Sequence, residues 1–119
     1  METTGLKYTS EIDIAWAAGL FEGEGCLSQR KGDDRWCLEI LMTDKDVLEK
    51  FADLLGLTIN GPYETKNTRG TGVKWKDHYR VGTSARDKVF KIVCEIYPYL
   101  CARRREKCDE FIAWYEAKQ

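Results

Sequence analysis

The chain has 119 residues, of which 43% are hydrophobic and 33% charged, with a net charge of −1 and five cysteines. That suffices for one domain with a modest core, and no apolar run is long enough to span a membrane. The cysteines at 26, 37, 94, 101 and 108 are odd in number and form no CxxC pair, which argues against a zinc site or a disulfide framework and for reduced thiols in a cytoplasm.

Residues 1–9 read as a short polar, flexible lead with no secretion signal. A helix follows over 10–23, opened by Ser10 with Asp13 three residues on as a capping-box-like pair. Small residues recur on one face of it at Ala15, Gly19 and Gly23, a spacing that lets a second helix backbone come close. Two acids, Glu22 and Glu24, stand between glycines at its C-terminal end, where the helix dipole is unfavourable to them. A bound cation would supply the missing charge.

From Gly25 the apolar period changes to two. Cys26 to Lys31 reads as a strand, Gly32-Asp33-Asp34 as a turn, and Arg35 to Met42 as the returning strand, with Trp36, Leu38, Ile40 and Met42 on its core face. Thr43 or Asp44 caps a second helix that runs to Leu55 and stops at Gly56. Its apolar stripe is Val47, Leu48, Phe51, Leu54 and Leu55. Gly61-Pro62 opens a second strand pair, Tyr63 to Asn67 and Lys74 to Val81. In the latter, Trp75, Tyr79 and Val81 share one face, and Lys74, Lys76, His78 and Arg80 share the other. A third helix runs from Ser84 to about Tyr97, Pro98 interrupts it, and a last helix spans Leu100 to Lys118. The predicted class is α+β in the order α-β-β-α-β-β-α-α. Charge is divided unevenly: residues 1–60 hold 6 basic and 12 acidic side chains, net −6, and residues 61–119 hold 13 and 8, net +5. The basic half could meet phosphates, or its charges could simply be solvated.

The run Ala17-Ala18-Gly19-Leu20-Phe21-Glu22-Gly23-Glu24-Gly25 resembles the nine-residue signature of the LAGLIDADG homing endonucleases. Ala18, Gly19, Leu20 and Gly25 match it letter for letter, and Glu22 and Glu24 fill its two acidic positions. Ala17 and Phe21 depart from it. Met42 to Leu48 resembles the family's strand-to-helix joint, and Pro98 to Arg104 its entry into the last helix. The resemblance therefore covers nearly the whole of 1–119 as one domain. It implies a concave antiparallel sheet and a site-specific, metal-dependent DNA endonuclease.

The resemblance also implies roles. Glu24 becomes a ligand to Mg2+ or another divalent cation such as Mn2+, with the Gly23 carbonyl beside it. Arg103 becomes the basic residue that faces the scissile phosphate and stabilises the transition state, with Arg104 in its place if the register is one off. Asp44 becomes a residue that orders water, a role compatible with a plain helix cap. One carboxylate is too little for two strands, and the motif occurs once. Two copies joined through Ala15, Gly19, Glu22 and Gly23 would form a paired site on a two-fold axis. The implied partners are thus a second copy and pseudo-palindromic double-stranded DNA. Base and phosphate contacts fall to Ser28, Arg30, Arg35, Glu39, Lys66, Lys74, Lys76, His78, Arg80 and Arg104, with Arg30, Arg35 and Arg80 as guanine readers and Glu39 as a cytosine acceptor. Cys26 and Cys37 share that strand face. The expected location is cytoplasmic, in a phage or prokaryotic host, or organellar. The same fold without cleavage serves a transcription regulator or an intron RNA splicing cofactor, which is the alternative reading.

Overall fold

The computed structural model describes residues 10–64 and 76–119. Helix α1 (Glu11–Glu24) leads into strands β1 (Gly25–Gln29) and β2 (Trp36–Met42). Helix α2 (Lys45–Leu55), strands β3 (Ile59–Tyr63) and β4 (His78–Thr83), and helix α3 (Arg86–Ile96) follow. A 3-10 turn at Tyr97–Tyr99 joins α3 to α4 (Ala102–Ala117). The four strands form one antiparallel sheet in the order β1-β2-β4-β3.

Local chemistry accounts for most element ends. Ser10 Oγ accepts from the Asp13 backbone N–H at 3.2 Å and so satisfies one of the orphan donors of α1. Gly56 ends α2 at φ 66°, a left-handed conformation that glycine adopts without penalty. Pairing of Leu27 with Leu38 and of Ile40 with Val81 puts these four side chains on one sheet face. They are buried there with Phe21 of α1, Leu48, Phe51 and Leu55 of α2, Val89, Ile92, Val93 and Ile96 of α3, and Phe111 of α4. Phe111 meets Trp36 edge to face, with ring centroids 5.6 Å apart, a favoured aromatic geometry. All four helices thus contribute to the core over this face. The opposite face carries Cys26, Ser28, Glu39, Leu41, His78 and Arg80.

Several expectations need correction. Strand β3 begins at Ile59, not at Tyr63, and contains Gly61-Pro62 rather than following it. It is an edge strand with a bulge between Asn60 and Tyr63, a place where proline's missing N–H is tolerated. Lys76 precedes β4 instead of lying in it. Helix α3 starts at Arg86, not at Ser84, with Ala85 at the cap position, and Thr83 Oγ1 accepts from the Ala85 N–H at 3.1 Å. Asp44 sits at the cap position of α2, but its side chain makes no capping bond. Cys37 is 5% exposed although alternation puts it on the open face. Lys66 and Lys74 lie outside the described residues.

The joint between α1 and β1 is tight. A Cβ built at Gly25 would stand 2.1 Å from Phe21 Cδ1, and Phe21 is buried in the core. Gly25 has φ −82°, so space, not backbone conformation, demands glycine here. Gly25→Ala is expected to cost about 1–3 kcal/mol, as overpacking does, read as a lower midpoint in a urea titration. An unchanged midpoint would show that Phe21 can move aside freely.

Candidate nucleic-acid interface and metal site

Three segments meet at one end of the sheet. Pairing of Gly25 with Ile40 brings the end of α1 beside the end of β2, with Asp44 just beyond it at the start of α2. The start of α4 lies against the same end of α1: the Cys101 N–H donates to Glu22 Oε1 at 2.7 Å, and Arg104 Nε donates to the Glu22 carbonyl at 3.2 Å. Arg104 also lies over the Phe21 ring, 5.5 Å from its centroid.

These contacts separate two pairs of similar neighbours. Glu22 is half-buried, and its carboxylate faces the N-terminal end of α4, where a helix dipole favours negative charge. It is committed within its own chain and not to the open face of α1, where the dimer contact is expected. Glu24, two residues on, is exposed, and no side chain among the described residues bonds or pairs with it. Arg104 is likewise half-buried and occupied, so its expected DNA contact would compete with this packing. Arg103 is exposed and unpaired among the described residues.

The donors at this end suit a hard cation. The Glu24 carboxylate stands at the end of α1, where the Phe21 and Glu22 carbonyls already accept from the Gly25 N–H and from Arg104 Nε, so a carbonyl donor would come from Gly23 or Glu24, and no basic residue occupies that last turn. Among the described residues no three His, Cys, Asp or Glu side chains cluster as a metal site. A cation here would take one carboxylate and a carbonyl per chain, the sparse protein coordination that magnesium accepts.

The glycine face of α1 is open. A Cβ at Gly19 or Gly23 would meet nothing within 4 Å, and Ile12 on the same helix is 81% exposed. Lys50 lies over the neighbouring Trp16 ring at 4.2 Å.

Six of the expected recognition residues share the open sheet face or its continuation. Ser28, Arg30 and Arg35 are exposed. Arg30 approaches Asp33 at 3.8 Å. His78 stands against Tyr63 with ring centroids 5.4 Å apart. Arg80 Nε donates to Glu39 Oε1 at 2.9 Å, and this carboxylate, ahead of all else, holds the guanidinium pKa above its ordinary value. Leu41 is 48% exposed on the same face. It was legible there by alternation, but an apolar residue carries no readout signal unless thymine methyl contact is considered.

No family model matches the sequence, and no curated protein does. Solved structures do match. The homing endonuclease I-CvuI in complex with its target in 2 mM Ca superposes with a TM-score of 0.58 at 18% identity, over 83% of this chain and 62% of that one. The same protein with the I-CreI target in 2 mM Mg, its DNA not cleaved, gives 0.56 at 17% identity. The intron-encoded homing endonuclease I-CeuI bound to DNA gives 0.64 at 14% identity, over 92% of this chain and 56% of that one. The chain thus spans less than two thirds of the length of the structures it matches. No helix among the described residues is long and apolar enough to cross a membrane. The chain has the fold of the LAGLIDADG homing endonucleases, the architecture that the resemblance over residues 17–25 implies.

Proposed function

We propose that this chain is a site-specific DNA endonuclease that works as a homodimer with a divalent cation. The observation that carries this reading is the unspent Glu24 carboxylate at the end of an open glycine-faced helix, with the free Arg103 on the adjoining α4 turn. Two α1 helices packed through Gly19 and Gly23 would set two Glu24 carboxylates together on the dimer axis, where their like charges favour cation binding. When bound, magnesium or manganese would neutralise the phosphate and lower the pKa of an attacking water. Arg103 would stabilise charge that develops on the phosphate in the transition state. Asp44, with no capping bond to make, is available to orient water. The open sheet face would lie along the major groove, where base edges differ.

Adjacent arginines allow a sharp test of these roles. Arg103→Ala is expected to leave the melting temperature unchanged and to slow DNA cleavage by roughly 100-fold, the scale of losing one charge-stabilising donor. Arg104→Ala is expected to lower the melting temperature, because it strips the Glu22 carbonyl and the Phe21 ring of a partner. The reverse pattern would exchange the two assignments.

The activity itself is tested with a randomised duplex library. Bound DNA is selected in calcium, magnesium is then exchanged in, and new ends are sequenced. Paired cuts within a two-fold-symmetric consensus are the expected result. A consensus without cuts would favour a non-cleaving regulator, and no enrichment would reject the DNA reading.

A further inference from the structure

Arg80 and Glu39 on the open sheet face are not independent groups. Strand pairing sets Glu39 opposite Gly82 and Arg80 opposite Leu41, so the two charged residues are diagonal neighbours across β2 and β4. Arg80 Nε donates to Glu39 Oε1 at 2.9 Å, and Arg80 Nη2 donates to Cys37 Sγ at 3.4 Å. Gly82 makes the room for this. A Cβ at that position would stand 2.8 Å from Glu39 Cβ and from the Leu38 carbonyl oxygen, and 2.9 Å from Arg80 Nη2. Its φ is not positive, so what the position needs is a missing side chain. The contact also explains why Cys37 is buried on a face that is otherwise open.

A guanidinium has five N–H donors in a fixed plane. The side edge, Nε with Nη2, is taken by Glu39 and Cys37. The terminal edge, Nη1 with Nη2, is left, and 29% of the side chain remains exposed. We propose that Glu39 is a positioning residue: with Gly82 and Cys37 it holds Arg80 so that the terminal guanidinium edge reads one guanine in the major groove of the target. This rests on the DNA reading above. Guanine O6 and N7 form a pair of acceptors that match two parallel N–H donors. A guanidinium already fixed loses less conformational freedom on docking than a free one. Among the described residues, Arg30 and Arg35 have no comparable tie to the sheet. Glu39, spent on Arg80, then acts through that residue and is not itself a cytosine acceptor.

The test is library selection in calcium with the parent protein, Arg80→Ala, Glu39→Ala and Gly82→Ala, each checked by thermal melting. The parent consensus is expected to hold a guanine in each half-site, preferred by roughly 10-fold or more as for a good bidentate contact. Arg80→Ala is expected to erase that preference. Glu39→Ala and Gly82→Ala are expected to weaken it at the same position and at no other. Glu39→Ala carries the result alone if Gly82→Ala melts early. If Glu39→Ala relaxes a different position, or leaves the guanine preference intact, the positioning role is overturned. A parent that enriches no sequence would overturn the DNA reading, and this inference with it. An enriched parent with the wrong mutant pattern would overturn only the inference.

Discussion

Glu24→Gln is expected to reduce magnesium-dependent strand cleavage by roughly 1,000-fold or more. The reason is the loss of an anionic ligand. Metal stabilisation of a phosphoryl transition state is worth several kcal/mol, and each 1.36 kcal/mol is a factor of ten in rate. The fold should not notice, because Glu24 is exposed and unbonded among the described residues and such surface changes stay within about ±0.5 kcal/mol. Glu22→Ala makes the contrast. It removes the acceptor of the Cys101 N–H and is expected to cost about 1 kcal/mol of stability, seen as a melting point lower by several degrees. Rate assays on a supercoiled plasmid bearing the selected site, with parallel thermal melts, read both effects. Full cleavage by Glu24→Gln would remove the metal role from this residue.

Gly19→Leu is expected to weaken self-association by about 30-fold or more and to leave the single chain folded. The two effects have separate causes. Within one chain a Cβ at Gly19 touches nothing within 4 Å, and glycine in a helix interior is itself unfavourable by about 0.5–1 kcal/mol relative to alanine. The substitution therefore does not harm α1. Across a helix pair in backbone contact, two added side chains must be accommodated. Overpacking costs of about 1–3 kcal/mol each then act against the dimer, where 1.4 kcal/mol is tenfold in affinity. Sedimentation of parent and variant over a concentration series measures this directly. An unchanged association constant would place the dimer contact elsewhere, and a monomeric parent, with and without DNA, would reject the paired site.

Where local chemistry governs, the sequence was readable. Ser10 and Gly56 act at the ends of α1 and α2 as expected, because caps depend on neighbours a few residues away. The inward side chains of β2 follow from alternation. The β3 start was missed because Gly61-Pro62 is a strong turn signal in isolation, and its tolerance comes from edge placement, which is set by strand order. Cys37 lies on the expected face, but its burial is not a local property: its cover comes from Arg80, 43 residues later.

The site divides the same way. The residue types at the end of α1, the small-residue face beside them, and the resemblance that implies a paired acidic site are all legible in the amino-acid order alone. Which member of each neighbouring pair is spent depends on how the elements pack. Helical residues one and two positions apart point about 100° and 200° apart, so Arg103 and Arg104, or Glu22 and Glu24, meet different neighbours. The packing of α4 on α1 engages Glu22 and Arg104 and, among the described residues, leaves Glu24 and Arg103 without a partner. The fate of Glu39 and Arg80 is likewise a matter of strand register, since a pairing between β2 and β4 that brings them together depends on the whole sheet.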